Sequence, residues 1–261
     1  YSILDQHSES YRKIRNTFRY LLGNINDSFE TVDLKNIETQ KLPELEQFML
    51  HKLYLLNKNF INYFKNYDFH NLYKELLNFC TVDLSAFYFD IRKDCLYCDP
   101  KNSKKREAVV ITLNIILECL LKWFAPILSF TTEEIFRLIN KNKKSIHLEK
   151  FLNIPEKLRN DDLNLKWSEL IKIRDACNLS IEQKRTEKII GSSLEASIRI
   201  KLDKKYLDLV ENINLSELCI TSSAIVEHNE KSKIEVETIK AEGNKCPVCW
   251  KISLKPCERH G

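Results

Sequence analysis

The sequence predicts a mainly α-helical protein: an antiparallel helical bundle, then a small α+β module, then a short cysteine-rich tail. Through roughly the first 155 of the 261 residues, apolar side chains recur at spacings of three and four, the period of amphipathic helices. From Leu194 to Leu202 apolar positions alternate with polar ones, which indicates a strand. Near the end of the chain, Cys246 and Cys249 form a C-x-x-C pair in a stretch with few apolar residues.

The bundle is predicted from helix start and stop signals. Ile14 and Phe18 lie on one apolar face of the first helix, and we expect Gly23 to end it. Ser103 is expected to cap a long helix over 104–123, shortly before a proline. Because the connections between these helices are short, we expect neighbouring helices to run antiparallel.

The following elements are predicted in the same way. Thr131 and Glu134 have the spacing of a capping box and are expected to start a short helix. A further amphipathic helix over about 163–190 is expected to end at Gly191. After the alternating strand, two short strands are predicted, over 217–227 and 233–240.

These elements divide the chain into three predicted domains. They are a helical domain over 1–155, an α+β junction module over 156–242 and a tail over 243–261. The tail is too short to bury a core and needs another source of stability. Since the chain begins with Tyr1 and its one methionine is Met49, we expect it to be a piece of a longer protein.

Composition excludes several classes of function. The four glycines are scattered, which excludes a glycine-rich phosphate loop, and no spacing matches a common hydrolase or metalloprotease motif. No apolar run approaches the about 18 residues of a membrane span, and no signal peptide is recognisable, so we expect reduced cysteines and a cytoplasmic protein. The net charge of +4, from 41 basic and 37 acidic residues, permits a polyanionic partner.

The tail has the spacing of a zinc site. Cys246 and Cys249 can present two thiolates to one ion, and Cys257 with His260 can complete a tetrahedron. Bound zinc would then supply the folding free energy of the segment. The third and fourth ligands stay open, because a second pair could also lie beyond Gly261.

The cysteines of the chain allow other interpretations. A redox pair is less consistent with the tail, since Pro256 follows closely and a redox C-x-x-C normally precedes a helix. Incidental thiols are the remaining alternative there. A second C-x-x-C pair, Cys95 and Cys98, is either two reduced cysteines beside a helix or a distant half of the same zinc site.

Two groups of side chains are candidates for nucleic-acid contacts. Arg12, Arg15 and Arg19 fall together on a helical wheel, and guanidinium groups there could clamp phosphates. The alternative is a solvated helix edge with Glu9 as a partner. Trp250, directly after the second cysteine of the tail, resembles a stacking platform for unpaired bases, or it packs over its own knuckle.

Five segments carry a family resemblance: SESYRKIRNTFRYLLGN (8–24), NFCTVDLSAFYFDIRKDCLYCD (78–99), FAPILSFTTEEIF (124–136), IGSSLEA (190–196) and CPVCW (246–250). In this order they resemble the C-terminal portion of bacterial-type isoleucyl-tRNA synthetases, which are class I aminoacyl-tRNA synthetases. Valyl- and leucyl-tRNA synthetases share the architecture, but the GSSLEA block and the CPxCW segment favour the isoleucine family.

The resemblance implies a class Ia anticodon-binding bundle that grips tRNA(Ile), and a zinc-ribbon-like tail with one structural zinc ion that helps to hold the tRNA. On this tRNA-binding interpretation we expect phosphate contacts from Arg12, Lys13, Arg15 and Arg19, and contacts near the anticodon loop from Trp250, Lys251 and Arg259. ATP and isoleucine would bind only in an upstream catalytic domain, whose HIGH and KMSKS signatures are absent here. We expect a monomer with no membrane or DNA partner.

The tail departs from the family pattern, which usually ends with a second Cys-x-x-Cys after a longer loop. Here Cys257 and His260 come early, so either His260 substitutes as a ligand or the stretch is loop. The alternative to the tRNA-binding interpretation is a non-catalytic helical scaffold, in which the zinc tail is structural and the partner is a protein.

Overall fold

The computed structural model describes residues 2–25, 29–140, 144–230 and 233–260. Tyr1, the first residue of the predicted helical domain, and Gly261, the last residue of the predicted tail, lie outside these ranges. The chain forms two compact units, and each is described by itself. The helical unit comprises Tyr1–Leu96 and Pro100–Asn160, and the mixed unit comprises Tyr97–Asp99 and Asp161–Gly261.

The helical unit confirms the predicted helical bundle. Its helices are α1 (Ser2–Ile25), α2 (Glu44–Lys65), α3 (Phe69–Asn78), a π-helical segment (Phe79–Tyr88), α4 (Phe89–Cys98), α5 (Lys104–Phe124) and α6 (Ser129–Ile139). The last two residues of α4 belong to the mixed unit. Helix α5 contacts α1, α2 and α6, and its side chains from Val109 to Phe124 form the centre of the core. As predicted, Ser103 caps α5, since its Oγ accepts a hydrogen bond from the Arg106 backbone N–H.

A buried polar network crosses this core. The guanidinium of Arg92 on α4 donates two hydrogen bonds of 2.7 Å to the two carboxylate oxygens of Glu46 on α2. Tyr88 donates a third, of 3.0 Å, to the same carboxylate. Glu46 is fully buried and Arg92 is 5% exposed, so these charges avoid a large desolvation cost only because they are paired.

Two predicted helix boundaries in this unit are wrong. Gly23 does not end α1, because the helix continues to Ile25 and, among the described glycines, only Gly243 has the positive φ typical of a glycine that ends a helix. Thr131 does not cap α6, which begins at Ser129. The Thr131 hydroxyl instead shares a 2.9 Å hydrogen bond with the hydroxyl of Tyr11, a residue 120 positions away.

The mixed unit contains a small sheet, as predicted. Its elements are α7 (Asp161–Thr186), β1 (Ala196–Leu202), α8 (Lys204–Val210), α9 (Leu215–Leu218), β2 (Ser223–His228), β3 (Glu235–Lys240), β4 (Asn244–Lys245) and β5 (Ile252–Ser253). The strand order is β2-β1-β3, with β1 parallel to β2 and antiparallel to β3. Alternate residues of β1 are buried, and α7 packs on the sheet, where Ser180 and Thr238 share a 2.7 Å hydrogen bond.

Helix α7 ends earlier than predicted, at Thr186 rather than at Gly191. Lys188 adopts a φ of 58° and takes the left-handed position that glycine usually fills. Its N–H donates to the Arg185 carbonyl, and the N–H of Ile189 donates to the Lys184 carbonyl, which together form a Schellman motif. Within the described ranges, no helix combines the length and the apolar character needed to cross a bilayer.

Candidate metal centre and nucleic-acid interface

A two-stranded hairpin shapes the first half of the tail. Strand β4 pairs antiparallel with β5, and the backbone N–H of Cys246 donates to the Lys251 carbonyl at 2.9 Å. Gly243 precedes this hairpin with a φ of +119°, and a Cβ at this position would lie 2.2 Å from the Ser253 carbonyl oxygen. Only glycine therefore fits here, and it allows the two strands to approach closely.

The tail brings together four metal-ligating side chains. Their donor atoms lie within 4.8 Å of one another, and the residues are Cys246, Cys249, Cys257 and His260. The Sγ atoms of Cys249 and Cys257 are 3.8 Å apart, and His260 Nδ1 lies 3.5 Å from the Sγ of Cys246 and 3.4 Å from that of Cys257. A tetrahedral ion with bonds of about 2.3 Å to sulfur and about 2.0 Å to nitrogen would separate two sulfurs by roughly 3.8 Å and a sulfur from a nitrogen by roughly 3.5 Å. The cluster therefore has the dimensions of a tetrahedral metal site and could hold an ion.

The backbone of the first knuckle, residues 246–249, favours a thiolate at Cys246. The N–H groups of Cys249 and then Val248 donate to the sulfur, and they lower the pKa of Cys246 to about 6. The backbone N–H of Arg259 likewise lowers the pKa of Cys257. Burial raises the pKa of Cys249. Two of the three sulfurs are thus prepared for the deprotonated form that metal ligation requires.

The ring of His260 is oriented by a main-chain contact. Its Nε2 lies 3.1 Å from the carbonyl oxygen of Cys98, and this contact raises the pKa of His260. Because a carbonyl only accepts, Nε2 carries the proton, and in the neutral ring the lone pair is at Nδ1, the atom that faces the sulfurs. A histidine that ligates a metal typically donates its other N–H in this manner.

The second C-x-x-C pair does not add a donor to the cluster. Cys95 is buried in the helical unit, at 1% exposure. Cys98 belongs to the mixed unit and lies beside the cluster, where its Sγ is 3.7 Å from the Val248 carbonyl oxygen. Cys98 is outside the group of four whose donor atoms converge.

The predicted basic stripe lies on the exposed side of α1, opposite its buried apolar face. Arg12 donates to the Glu9 carboxylate at 2.6 Å, and Arg15 donates to the Tyr11 hydroxyl at 3.2 Å. Both of these partners are themselves on α1, and the contact of Arg12 with Glu9 is the one that the solvated-edge alternative expects. Arg19 and Lys13 are also exposed.

Trp250 is presented to solvent by the first knuckle. Its side chain is 58% exposed, and its φ of 63° turns the chain sharply after Cys249. The ammonium of Lys245 lies 5.2 Å from the centre of the indole ring, a cation–π contact that the sequence did not indicate. Lys251 is half-buried, and the Arg259 guanidinium is 3.0 Å from the carboxylate of Asp99.

Comparison with known proteins assigns the class. The model of the anticodon-binding domain of tRNA ligases matches residues 46–200, more than half of the chain. The chain therefore belongs to this family of anticodon-binding domains.

Isoleucine–tRNA ligases are among the curated proteins to which the chain is similar. The protein from Pelagibacter ubique is 66% identical over 260 residues, which cover 100% of this chain and 29% of that protein. The protein from Agrobacterium fabrum is 38% identical over 97% of the chain, and the one from Staphylococcus carnosus is 36% identical over 97%. The chain spans less than a third of the length of these curated relatives, between 27% and 29%.

Proposed function

We propose that this chain is the tRNA-binding, C-terminal part of an isoleucine–tRNA ligase. In this proposal it grips tRNA(Ile), and an upstream catalytic domain of the same enzyme joins isoleucine to the tRNA with ATP. The observation that carries the proposal is the family match over 46–200, in a chain that aligns over nearly its whole length with isoleucine–tRNA ligases. The proposed division of labour follows the predicted domains 1–155, 156–242 and 243–261.

The helical unit would contact the phosphate backbone of the tRNA. Arg12, Arg15 and Arg19, with Lys13, supply the charge for this contact, since all four residues are exposed and the three arginines fall together on one side of α1. Guanidinium groups bind phosphate bidentately, so such contacts fix orientation as well as adding affinity. Part of that binding energy would hold the acceptor end of the tRNA in place for the chemistry of the upstream domain.

The tail would hold one structural zinc ion. Three thiols and one imidazole at tetrahedral separations suit zinc, and Cys246, Cys249, Cys257 and His260 would be its ligands. The ion, when bound, supplies folding free energy and no chemistry of its own. The folded knuckle would then present Trp250, Lys251 and Arg259 to unpaired bases near the anticodon loop.

The cellular compartment, the oligomeric state and the partners are part of the same proposal. A tRNA ligase that charges tRNA for protein synthesis works in the cytoplasm, and we propose a monomer with neither a membrane nor DNA as partner. A protein-binding scaffold is the competing function, and it requires no affinity for tRNA.

The test is a titration of the chain with tRNA(Ile) at several salt concentrations. Wild type should bind with an affinity that falls as salt rises, because each phosphate contact releases counterions. The triple variant Arg12→Gln/Arg15→Gln/Arg19→Gln should reduce the slope of log Kd against log salt by about 2 to 3, at roughly 0.7–0.9 per contact. Lys204→Gln on α8 is the control and should leave the slope unchanged. An absence of tRNA binding would overturn the proposal in favour of the scaffold.

A further inference from the structure

The end of helix α4 contacts both halves of the metal cluster. The Sγ of Cys98 is 3.7 Å from the Val248 carbonyl oxygen, in the first knuckle. The carbonyl oxygen of the same residue is 3.1 Å from His260 Nε2, in the second knuckle, residues 257–260. The next residue, Asp99, accepts a hydrogen bond of 3.0 Å from the Arg259 guanidinium. Cys98 and Asp99, which are consecutive in the sequence, thus contact His260 and Arg259, which are also consecutive. His260 is a candidate metal ligand.

The second knuckle needs such support more than the first. The first knuckle grows out of the hairpin of β4 and β5, whereas 254–260 contains neither helix nor strand. A backbone hydrogen bond of 3.1 Å from the His260 N–H to the Cys257 carbonyl closes its turn. An imidazole on such a segment has rotational freedom, and a ligand that must be ordered upon binding loses part of its affinity.

The ion pair between Asp99 and Arg259 supplies a second fixed point. The Asp99 side chain is 12% exposed and that of Arg259 is 38% exposed, so the pair is better shielded from water than an ordinary surface pair. With Arg259 held at its guanidinium and His260 held at Nε2, the backbone between them has little room to rotate. The ring therefore keeps Nδ1 directed at the sulfurs.

We propose that Asp99 is a positioning residue of the metal centre: it holds Arg259, and thereby keeps His260 hydrogen-bonded to the Cys98 carbonyl and aligned for metal ligation. This inference rests on the zinc site proposed above. Asp99 does not touch the ion in this arrangement. Asp99 raises the affinity for zinc, and the four ligands are the same with or without it.

The experiment measures the zinc dissociation constant of the whole chain by competition with a chromophoric chelator. Asp99→Asn should weaken zinc binding 10- to 100-fold, the range typical of residues that orient a metal ligand. Arg259→Gln should weaken it to the same extent, and the double variant should be no weaker than either single variant, because both changes break one interaction. Glu182→Gln, which removes the carboxylate of an exposed ion pair with Arg185 on α7, is the matched control and should bind zinc like wild type.

A second measurement separates positioning from a change of ligands. The Co²⁺-substituted chain should show the absorption of a tetrahedral site with three sulfurs and one nitrogen in wild type and in Asp99→Asn alike, at different metal concentrations. Failure of wild type to bind zinc would overturn the proposed metal site itself. Zinc bound by wild type and equally well by Asp99→Asn and Arg259→Gln would overturn the role of Asp99 alone. Additive losses in the double variant would show that Asp99 does not act through Arg259.

Discussion

Helix α5 of the helical unit buries 14 of its 21 residues, whereas the tail over 243–260 buries only Cys246 and Cys249. The helix is held by apolar contact area shared among many side chains, and the loss of any one of them removes a fraction of the stability. The tail has four converging donor atoms in place of a core. In the proposed zinc site, metal binding and folding of the tail are one event, so the loss of one donor would remove the cause of folding.

The largest effect is therefore expected in the tail. Cys246→Ser should abolish stoichiometric zinc binding and unfold the tail. The helices α1–α6 should stay folded, so the helical circular dichroism signal of the chain should be retained. A serine hydroxyl is not a zinc ligand under these conditions, and the apparent free energy of zinc binding in small zinc-dependent modules is on the order of 10 kcal/mol. Elemental analysis and limited proteolysis measure the two outcomes.

Cys98→Ser is the matched control for this variant. It changes a cysteine that lies beside the cluster and outside the four donors, and it keeps the carbonyl that His260 contacts. It should retain zinc. If Cys98→Ser lost zinc as completely as Cys246→Ser, the assignment of the four ligands would be wrong.

Within the bundle the largest single effect is expected from Trp123→Ala. Trp123 is fully buried, packs against Phe60 and donates from Nε1 to the Asn57 side chain at 3.2 Å. Removal of the indole should lower the free energy of unfolding by about 3–5 kcal/mol, from lost apolar contact and a residual cavity. Urea denaturation followed by circular dichroism measures this loss. Leu254→Ala, at a tail side chain that is 78% exposed, should change it by less than about 0.5 kcal/mol.

The buried ion pair of Glu46 and Arg92 tests whether apolar burial alone accounts for the stability of the bundle. Glu46→Gln leaves the buried guanidinium of Arg92 without a counter-charge and should destabilise the helical unit by about 3 kcal/mol. The double variant Glu46→Leu/Arg92→Met, which removes both charges, should recover most of the loss, because no buried charge then remains unpaired. Urea denaturation of all three proteins checks the order. A loss below about 1 kcal/mol in Glu46→Gln would show that the pair is dispensable.

The same comparison explains what the sequence could predict. Helical periodicity and a C-x-x-C spacing are local patterns, so the bundle and the small sheet could be predicted, and Cys246 with Cys249 could be recognised as a pair. The contact between Glu46 and Arg92 joins residues 46 positions apart, and the one between Cys98 and His260 joins residues 162 apart. No local spacing encodes such pairs, and a backbone carbonyl has no sequence signal at all. Thr131 was misassigned for a similar reason, since a distant tyrosine hydroxyl became its partner.

The smallest effect concerns a carboxylate contact in the bundle that depends on pH. Glu133 on α6 accepts hydrogen bonds from Arg137 at 2.6 Å, from Ser145 Oγ at 2.8 Å and from the Ile146 N–H at 3.0 Å. Arg137 first, and then Ser145, lower the pKa of Glu133 below its usual value because they stabilise the charged carboxylate. A lowered pKa in the folded state means that the contribution is complete above the unfolded pKa and is lost as pH falls through the folded one.

Glu133→Gln should therefore be less stable than wild type at neutral pH, and the difference should shrink to nothing in acid, below the folded pKa of the carboxyl group. Thermal denaturation across a pH series measures it, with Glu182→Gln as the control for an exposed ion pair within one helix. A difference that stayed constant into strong acid would mean that the carboxylate charge contributes nothing here. The stability of the bundle would then come from buried apolar area and from the pair of Glu46 and Arg92. The bundle would differ even more from the tail, which has four metal-ligating side chains in place of an apolar core.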